Sequence, residues 1–382
     1  MNINDILNNE TLRQKEFPVA RQKIYLAHAA VCPLPAQVIG AIKGYVRRAS
    51  TRGQFEYLHK KIEEETRDLA ARLLKATPDE IAFVPSTSAG LSLIAAGLDW
   101  KTGDNVIIAD GDFPANIYPW LNLQRRGVEV RFIPIKSNGA VSVSDIKSQI
   151  DGRTRLVSLS SVHFVTGVPI DIHSIGSFLR KNGILFCVDA IQSLGAMPCS
   201  ARYVDFLVAD AHKWLLGPQG FGLLFVRREC WNQLHLSLLG WKSVLTPKEF
   251  LNIKLQFPNS AKRYEPGSLN IVGLIGLHAA LSLILEIGVS AIARQITILR
   301  TMLTDGLQQK GYNVLGISSS DLPTGIISFK REDKQIDALY QKLDESRIIV
   351  SLRDDLMGNK CIRVSPHFYN TEKEIHTFLA NV

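Results

Sequence analysis

From Ile81 onward, short runs of consecutive apolar residues alternate with stretches whose apolar positions recur every three or four residues. The runs IAFVP, NVIIAD, VEVRFIPI, TRLVSLSSV, ILFCVDA, VDFLVAD and FGLLFV read as strands. Between them, STSAGLSLIAAGL, PANIYPWLNLQRRG and IDIHSIGSFLRKNG carry the helical period. Strands that are apolar at every position, and not at alternate ones, are buried on both faces, which predicts a mostly parallel α/β sheet covered by helices. Ahead of this block lie a short helix within the first twenty residues, a brief strand in IYLAHAAVCPLP stopped by proline, and a helical region from about Ala36 to Lys75.

Beyond Arg227 the alternation loosens. The stretch IVGLIGLHAALSLILEIGV, Ile271 to Val289, is nearly long enough to span a bilayer, but His278, Ser282 and Glu286 fall on successive turns and give it a polar stripe. It is read as a core helix. A helix near Ala291 to Lys310 follows, and then TGIISFK, KQIDALYQKLDESR, IIVSLR, KCIRVSPH and TEKEIHTFLANV predict a compact β-α-β-β-α unit. The expected organisation is a large domain over residues 20–260, connecting helices over 261–310, and a small α+β domain over 311–382, on which residues 1–19 are candidates to pack.

Composition changes this picture little. A chain of 382 residues with 46% hydrophobic and 21% charged positions belongs with folded globular proteins, not with disordered or fibrous ones. Its 44 basic and 36 acidic residues leave a net charge of +8, but the basic residues are scattered in pairs, without the runs or interleaved aromatics of a nucleic-acid site. The expectation is a solvated basic surface with no nucleic-acid or membrane partner. Five cysteines, odd in number and without a CxxC pair, suggest neither zinc nor a disulfide framework, so no metal is expected. MNINDILNNETLRQKEF lacks a cationic start and an apolar block, so a cytoplasmic location is expected.

Chemistry is sought where apolar strands end, because ligands of open α/β sheets collect at the strands' carboxyl ends. Asp189 ends ILFCVDA, and Asp210, His212 and Lys213 follow VDFLVA, ahead of the glycines of GPQGFG. A lysine and an aspartate at two strand mouths, 24 residues apart, form the pair that pyridoxal 5'-phosphate requires. The amine makes a Schiff base, and the carboxylate holds the pyridine nitrogen protonated. Taken singly, Asp189 is equally a helix cap and Lys213 an exposed loop lysine. STSAG at a strand-to-helix junction offers hydroxyls and first-turn amides to a phosphate, although no GK[ST] follows and GPQGFG lacks GxGxxG spacing.

From YLAHAA to RVSPHFYN, and most specifically in VDAIQSLGAMP and ADAHKWLLGPQGFGLLFV, the chain resembles the class V aminotransferase and cysteine desulfurase family of fold type I pyridoxal phosphate enzymes. The resemblance implies Lys213 as the Schiff-base lysine, Asp189 as partner of the pyridine nitrogen, and Gln192 as donor to the ring's phenolic oxygen. It gives Thr87, Ser88 and His212 to the phosphate and Phe113 to a ring stacked on the cofactor. Gly267 and Ser268 match a segment that reaches the phosphate of a neighbouring subunit, implying a homodimer with shared active sites. Arg363 matches the arginine that grips the substrate α-carboxylate, with a salt-bridged strand arginine as the bland alternative. His28 lies on a segment that lines the substrate pocket, or else it is structural.

Two departures concern the reaction. Desulfurases carry a histidine where Phe113 stands, and phenylalanine stacks but moves no proton. They also place a nucleophilic cysteine on a loop before the last strand, where this chain has the short RDDLMGNK, leaving Cys361 as a structural thiol of the final strand. His163 and Phe164 occupy a position where desulfurases tend to carry an asparagine, and Asp210 one where they place a phosphate-binding serine. The expected function is therefore transformation of a small amino acid or 2-oxo acid. Transamination or epimerisation, as in the isopenicillin N epimerase-like branch, ranks ahead of cysteine desulfurase or C–S lyase chemistry, with a catalytically idle cofactor-binding protein as a third reading.

Overall fold

The structure, a computed structural model, describes residues 2–54, 60–134, 136, 138–316 and 324–382. Its centre is a seven-stranded sheet in the order Ile81–Val84, Gly222–Val226, Phe206–Asp210, Leu185–Asp189, Thr154–Ser160, Asn105–Ala109, Glu129–Ile133. All adjacent pairs are parallel except those made by Gly222–Val226, which runs antiparallel to both its neighbours. The mostly parallel α/β architecture predicted from the apolar runs is therefore the one observed.

Alternation along these strands separates two cores, because successive side chains point to opposite faces. Ile107, Val157, Phe186, Val188 and Leu207 enter one core, while Val106, Ile108, Leu156, Cys187 and Val208 enter the other. Both faces are covered, so the central strands are apolar at most positions, with Ser158 buried among them and Arg155 exposed. The edge strand Glu129–Ile133 has one side open and is only partly buried; Ile135, at the end of the expected VEVRFIPI run, lies outside the described residues.

Helices fill the faces largely as their patterns predict. The helix Thr87–Gly97 is capped by Ser86, whose Oγ accepts from Ala89 N at 3.1 Å. It packs close to the strand Phe206–Asp210 because residue 90 is glycine: a Cβ there would stand 2.5 Å from Val208 Cγ1. The expected helical region from Ala36 to Lys75 is two helices, Ala36–Arg52 and Lys60–Leu74, with residues 55–59 outside the described set. Ile271–Ile287 lies against both, buried along most of its length, with Glu286 on its outward line. Among the described residues no single helix is long and apolar enough to cross a membrane; this helix passes that test only together with Val289–Gln309, from which it is bent by 78°.

PANIYPWLNLQRRG departs from expectation. In place of one helix it forms two 3-10 turns, Pro114–Asn116 and Asn122–Arg126, around a single α-turn, Tyr118–Leu121. Pro114 and Pro119 lack the amide that a continuous helix needs, so each is tolerated only where a helical segment begins.

The C-terminal unit holds a four-stranded antiparallel sheet, Ser351–Asp354, Lys360–Val364, Ile327–Lys330 and Asn313–Val314. Its core takes in Leu299, Leu303 and Leu307 of the helix Val289–Gln309 and Leu26 of the N-terminal segment. That segment pairs in parallel with the unit, Ile24 opposite Ile348. Residues 3–16 form two short helices in place of the one expected, and Arg13 reaches Glu374 of the last helix at 2.9 Å.

Candidate active site

A cavity of about 520 Å³ opens where the parallel strands end and the C-terminal unit docks. Lys213, Asp189, Thr87, Ser88, Phe113, Gln192, His212 and Arg363 all line it, and so do Asp210, Phe164, Arg353 and the backbone segment Ala29–Val31. Eight positions singled out from sequence thus converge on one space.

The adjacent parallel strands Leu185–Asp189 and Phe206–Asp210 bring the two key groups together. Asp189 ends the first, almost wholly buried, and its Oδ1 accepts from Ile191 N at 3.0 Å. Lys213 follows the second on a tight loop in which Gly217 N donates to Ala211 O at 2.9 Å. Only a glycine fits at 217, where a Cβ would meet Ala211 Cβ at 2.7 Å. Burial drives both groups toward neutrality. Burial raises the Asp189 pKa to about 7; the Ile191 amide and the charge of Lys213 oppose this, and Asp112 reinforces it. Burial lowers Lys213 to about 8 against the pull of Asp189, with Arg363 and Arg353 pushing the same way. A carboxylate and an amine poised this way at strand mouths fit a pyridinium nitrogen and an imine-forming lysine.

At the other end, the first turn of Thr87–Gly97 presents the Thr87 and Ser88 amides without intrahelical acceptors. The Thr87 hydroxyl accepts from Asp210 N at 3.1 Å. Asp210 Oδ1 accepts from Ala211 N at 2.7 Å, and His212 Nδ1 lies 3.1 Å from the same oxygen without a hydrogen bond to it. This is a cup for an anion, with the helix dipole behind it. Gln192 is held by Trp214 Nε1, which donates to its Oε1 at 3.0 Å, and its own Nε2 donates to Ala29 O at 3.1 Å. One amide hydrogen remains for a ring oxygen. The Phe113 ring, 43% exposed, lies 5.5 Å from Lys213 Nζ and packs edge-on to Phe164.

Arg363 comes from the C-terminal sheet and is 1% exposed. Its Nη1 donates to Phe164 O at 2.6 Å, whereas its Nε and Nη2 are buried without a hydrogen-bond partner. Among the described residues it has no ion pair, which removes the salt-bridged strand arginine as its explanation. Burial, with Arg353 adding repulsion, lowers its pKa to about 9. A buried guanidinium with two nitrogens unpartnered has the donors that a bidentate carboxylate contact requires.

Four residues weighed from sequence are not brought into this cavity. His28 is fully buried behind it, with its ring nitrogens 2.9 Å from Ser365 O and 2.8 Å from Tyr369 Oη. Both nitrogens are used within the chain, so none is left for a substrate. Ser268 lines a separate cavity of about 860 Å³ with Trp241, Leu245 and Leu269, and Gly267 adjoins it there. His163 also faces elsewhere: Nδ1 accepts from Thr166 N at 3.1 Å, and Nε2 is therefore the donor to Gly111 O at 3.2 Å. Cys361 is buried in its strand, where burial raises its thiol pKa to about 11, and no cysteine lines the cavity among the described residues.

Sequence reasoning passed over Arg353 and Asp112. Arg353 has a signal in hindsight: in SLRD paired with KCIRV, it stands opposite Cys361, and Ser351 stands opposite Arg363, so the two arginines share one face. Asp112, 7% exposed, accepts from Phe113 N at 2.7 Å, Ser160 Oγ at 2.7 Å and Asn116 Nδ2 at 2.9 Å, fixing the backbone that carries Phe113.

Comparison with known proteins agrees with this geometry. The family model "Aminotransferase class-V" matches residues 24–378. A probable cysteine desulfurase of Methanothermobacter thermautotrophicus is 30% identical over 95% of this chain and 94% of its own. Among solved structures, the apo cysteine desulfurase of Thermococcus onnurineus NA1 superposes with a TM-score of 0.88 at 27% identity, covering 100% of this chain and 97% of that one. A cystine C–S lyase in complex with its reaction product cysteine persulfide superposes with a TM-score of 0.86 at 25% identity, covering 95% and 98%. With the sheet, the strand-mouth lysine and aspartate, and the family match all in agreement, this chain belongs to the class V aminotransferase family of fold type I, pyridoxal-phosphate-dependent enzymes.

Proposed function

We propose that this chain cleaves the carbon–sulfur bond of a small amino acid by elimination, using pyridoxal phosphate. The observation that carries the reading is the single cavity holding Lys213, Asp189 and the unpartnered Arg363 with no thiol on its walls. Relatives named as cysteine desulfurases and a cystine C–S lyase favour sulfur chemistry over the transamination or epimerisation ranked first from sequence. Persulfide formation on the protein needs a nucleophilic cysteine at the substrate, and the buried Cys361 does not serve. Elimination needs none: the substrate loses its α-proton and its β-sulfur as a thiol, and hydrolysis leaves pyruvate and ammonia.

When bound, the cofactor supplies an electron sink at the substrate's α-carbon. Arg363 would hold the α-carboxylate in its two idle donors and fix the substrate's orientation. Lys213, with its depressed pKa, would take the α-proton, and Asp189 would stabilise positive charge on the ring nitrogen. Thr87, Ser88 and His212 would bind the phosphate, and Gln192 the ring oxygen. Phe113 gives a stacking surface that carries no proton, so proton traffic falls to Lys213. Phe113 also favours the second reading, transamination or epimerisation as in the isopenicillin N epimerase-like branch, over desulfuration, because a phenylalanine moves no proton. A merely structural role for the cofactor leaves Arg363 unexplained, since holding a cofactor requires no buried guanidinium on its substrate side.

The homodimer is part of the proposal. Leu251 and Ile253 are 101% and 85% exposed, with Leu238, Trp241, Phe250 and Leu255 around them, beside the cavity that Ser268 lines. A second copy covering this apolar surface would carry Gly267 and Ser268 to its neighbour's phosphate. The deciding assay incubates the cofactor-loaded protein with cysteine and cystine. Pyruvate with reduced sulfur supports elimination, alanine with protein persulfide supports desulfuration, and amino transfer to a 2-oxo acid without sulfur release supports the second reading. Borohydride reduction is expected to fix the cofactor on Lys213, and an adduct mapped to another lysine overturns the site.

A further inference from the structure

The charges facing the cavity do not balance. Asp189 and Asp210 both act on Lys213, and Asp210 Oδ1 also accepts from the Ala211 amide. That leaves two guanidinium groups, Arg353 and Arg363, on the same face of one hairpin. In the reading above, the substrate α-carboxylate answers Arg363. Nothing answers Arg353: its Nη1 donates to the carbonyl of its own neighbour Leu352 at 2.8 Å, and no ion pair holds it among the described residues. The acids nearby are engaged elsewhere, Asp354 by Lys360 at 2.9 Å and Asp355 by Lys330. The cofactor phosphate belongs at the Thr87 and Ser88 end, on the large domain, whereas Arg353 stands on the substrate side.

We infer that Arg353 forms a second anion subsite, and that the natural substrate is an amino acid whose side chain ends in a carboxylate or an equivalent anion. The inference rests on the proposed substrate role of Arg363 and deepens it. A single guanidinium anchors one carboxylate of any amino acid, whereas a second one a hairpin rung away selects for a second anion. Positive charge left unanswered in a cavity is costly, and burial first, then the repulsion of Arg353, already depresses Arg363. A dianionic ligand removes both penalties at once. The anion has two chemical sources: an ordinary acidic amino acid, or a cysteine S-substituted with an acidic group, the latter being the one that elimination would cleave.

The test begins with ligands that cannot react. Isothermal titration of glutarate against pentanoate is run on the cofactor-loaded protein and on the cofactor-free protein. The dicarboxylate is expected to bind about ten- to a hundredfold more tightly, and Arg353→Gln is expected to abolish that preference while leaving pentanoate affinity unchanged. Equal affinities, or a preference that survives Arg353→Gln, overturn the subsite. Two matched substrate pairs then separate the sources: S-carboxymethylcysteine against S-carbamoylmethylcysteine, and glutamate against glutamine. Preference for the acid within the first pair only assigns the subsite to sulfur substrates, preference within the second pair only to acidic amino acids, and preference within neither overturns the inference. Failure of the cofactor reading shows separately, as a protein that takes up no pyridoxal phosphate whatever the dicarboxylates do.

Discussion

Replacing Arg363 by methionine should strengthen the fold while disabling the enzyme. The guanidinium is 1% exposed, carries an intact charge at neutral pH, and leaves Nε and Nη2 without partners. Lowering its pKa from the ordinary 12.5 to about 9 is the mark of a charge held at a loss. At about 1.4 kcal/mol per unit, that depression corresponds to a few kcal/mol of destabilisation. Methionine fills similar space without the charge. It forfeits the 2.6 Å bond to Phe164 O, a charge-assisted contact of about 1.5 to 3 kcal/mol, so of a burden of about 5 kcal/mol the net gain is on the order of 2 to 3 kcal/mol. Urea unfolding of the cofactor-free protein should shift to higher denaturant. In the loaded protein, kcat/KM for the substrate should fall by at least about a hundredfold. A variant that unfolds at lower urea and keeps kcat/KM within twofold of the parent refutes the reasoning, because that is how an arginine with a structural partner behaves.

Three further outcomes follow from the same groups. Asp189→Asn should retain cofactor but lose turnover by about a hundredfold or more, since a neutral amide does not hold a positive ring nitrogen; near-normal turnover would remove the role. In the cofactor-free protein, labelling of Lys213 by an amine reagent should follow a midpoint near pH 8, well below the ordinary value of about 10.5 for exposed lysines. Because the folded pKa is the lower one, the burden that Lys213 places on the fold is full below pH 8 and fades as the pH rises through 8 toward 10.5, so the stability gap between Lys213→Met and the parent should narrow over that window. Cys361→Ser should leave turnover within about twofold, and detection of a cysteine-dependent persulfide on Cys361 in the parent would restore the desulfurase reading.

The large domain was legible because its signal is local. The strands Leu185–Asp189, Phe206–Asp210 and Ile81–Val84 are mostly apolar and lead directly into site residues, so Asp189, Lys213 and the Thr87 turn are found by reading to the end of a strand. The C-terminal unit hides its contribution. Arg353 and Arg363 share a face only once the hairpin register is known, and Arg363 meets Phe164 across 199 residues of chain. His28 misled for the related reason that a histidine beside a pocket and one sealed behind it read alike. Its partners Ser365 and Tyr369 lie more than 300 residues away in sequence. The broken helix at Tyr118–Leu121 is a local matter that the prolines announced, and the apolar count outweighed them.

The division of charge between the seven-stranded sheet and the C-terminal sheet bears on how the enzyme would select its substrate. The seven-stranded sheet places Asp189 at the end of its strand, while the backbone flanking Lys213 is also held from outside that sheet, by Cys32 N on His212 O at 2.7 Å and by His367 Nε2 on Trp214 O at 3.1 Å. The small domain places both arginines, and the face that carries them also carries Ser328, whose Oγ donates to Val165 O at 2.6 Å beside the Arg363 contact to Phe164 O. The same polar face therefore docks the small domain and reads the substrate, while Ile327, Phe329, Ile362 and Val364 on the other face hold that domain together. Substrate carboxylates would then do two things at once: neutralise the arginines and tighten the seam between the domains. Binding energy spent on the carboxylates at the seam would be converted into alignment of the α-carbon over Lys213. An amino acid lacking either anion should for that reason suffer in kcat as well as in KM, whereas a small domain that merely captured substrate would show the loss in KM alone.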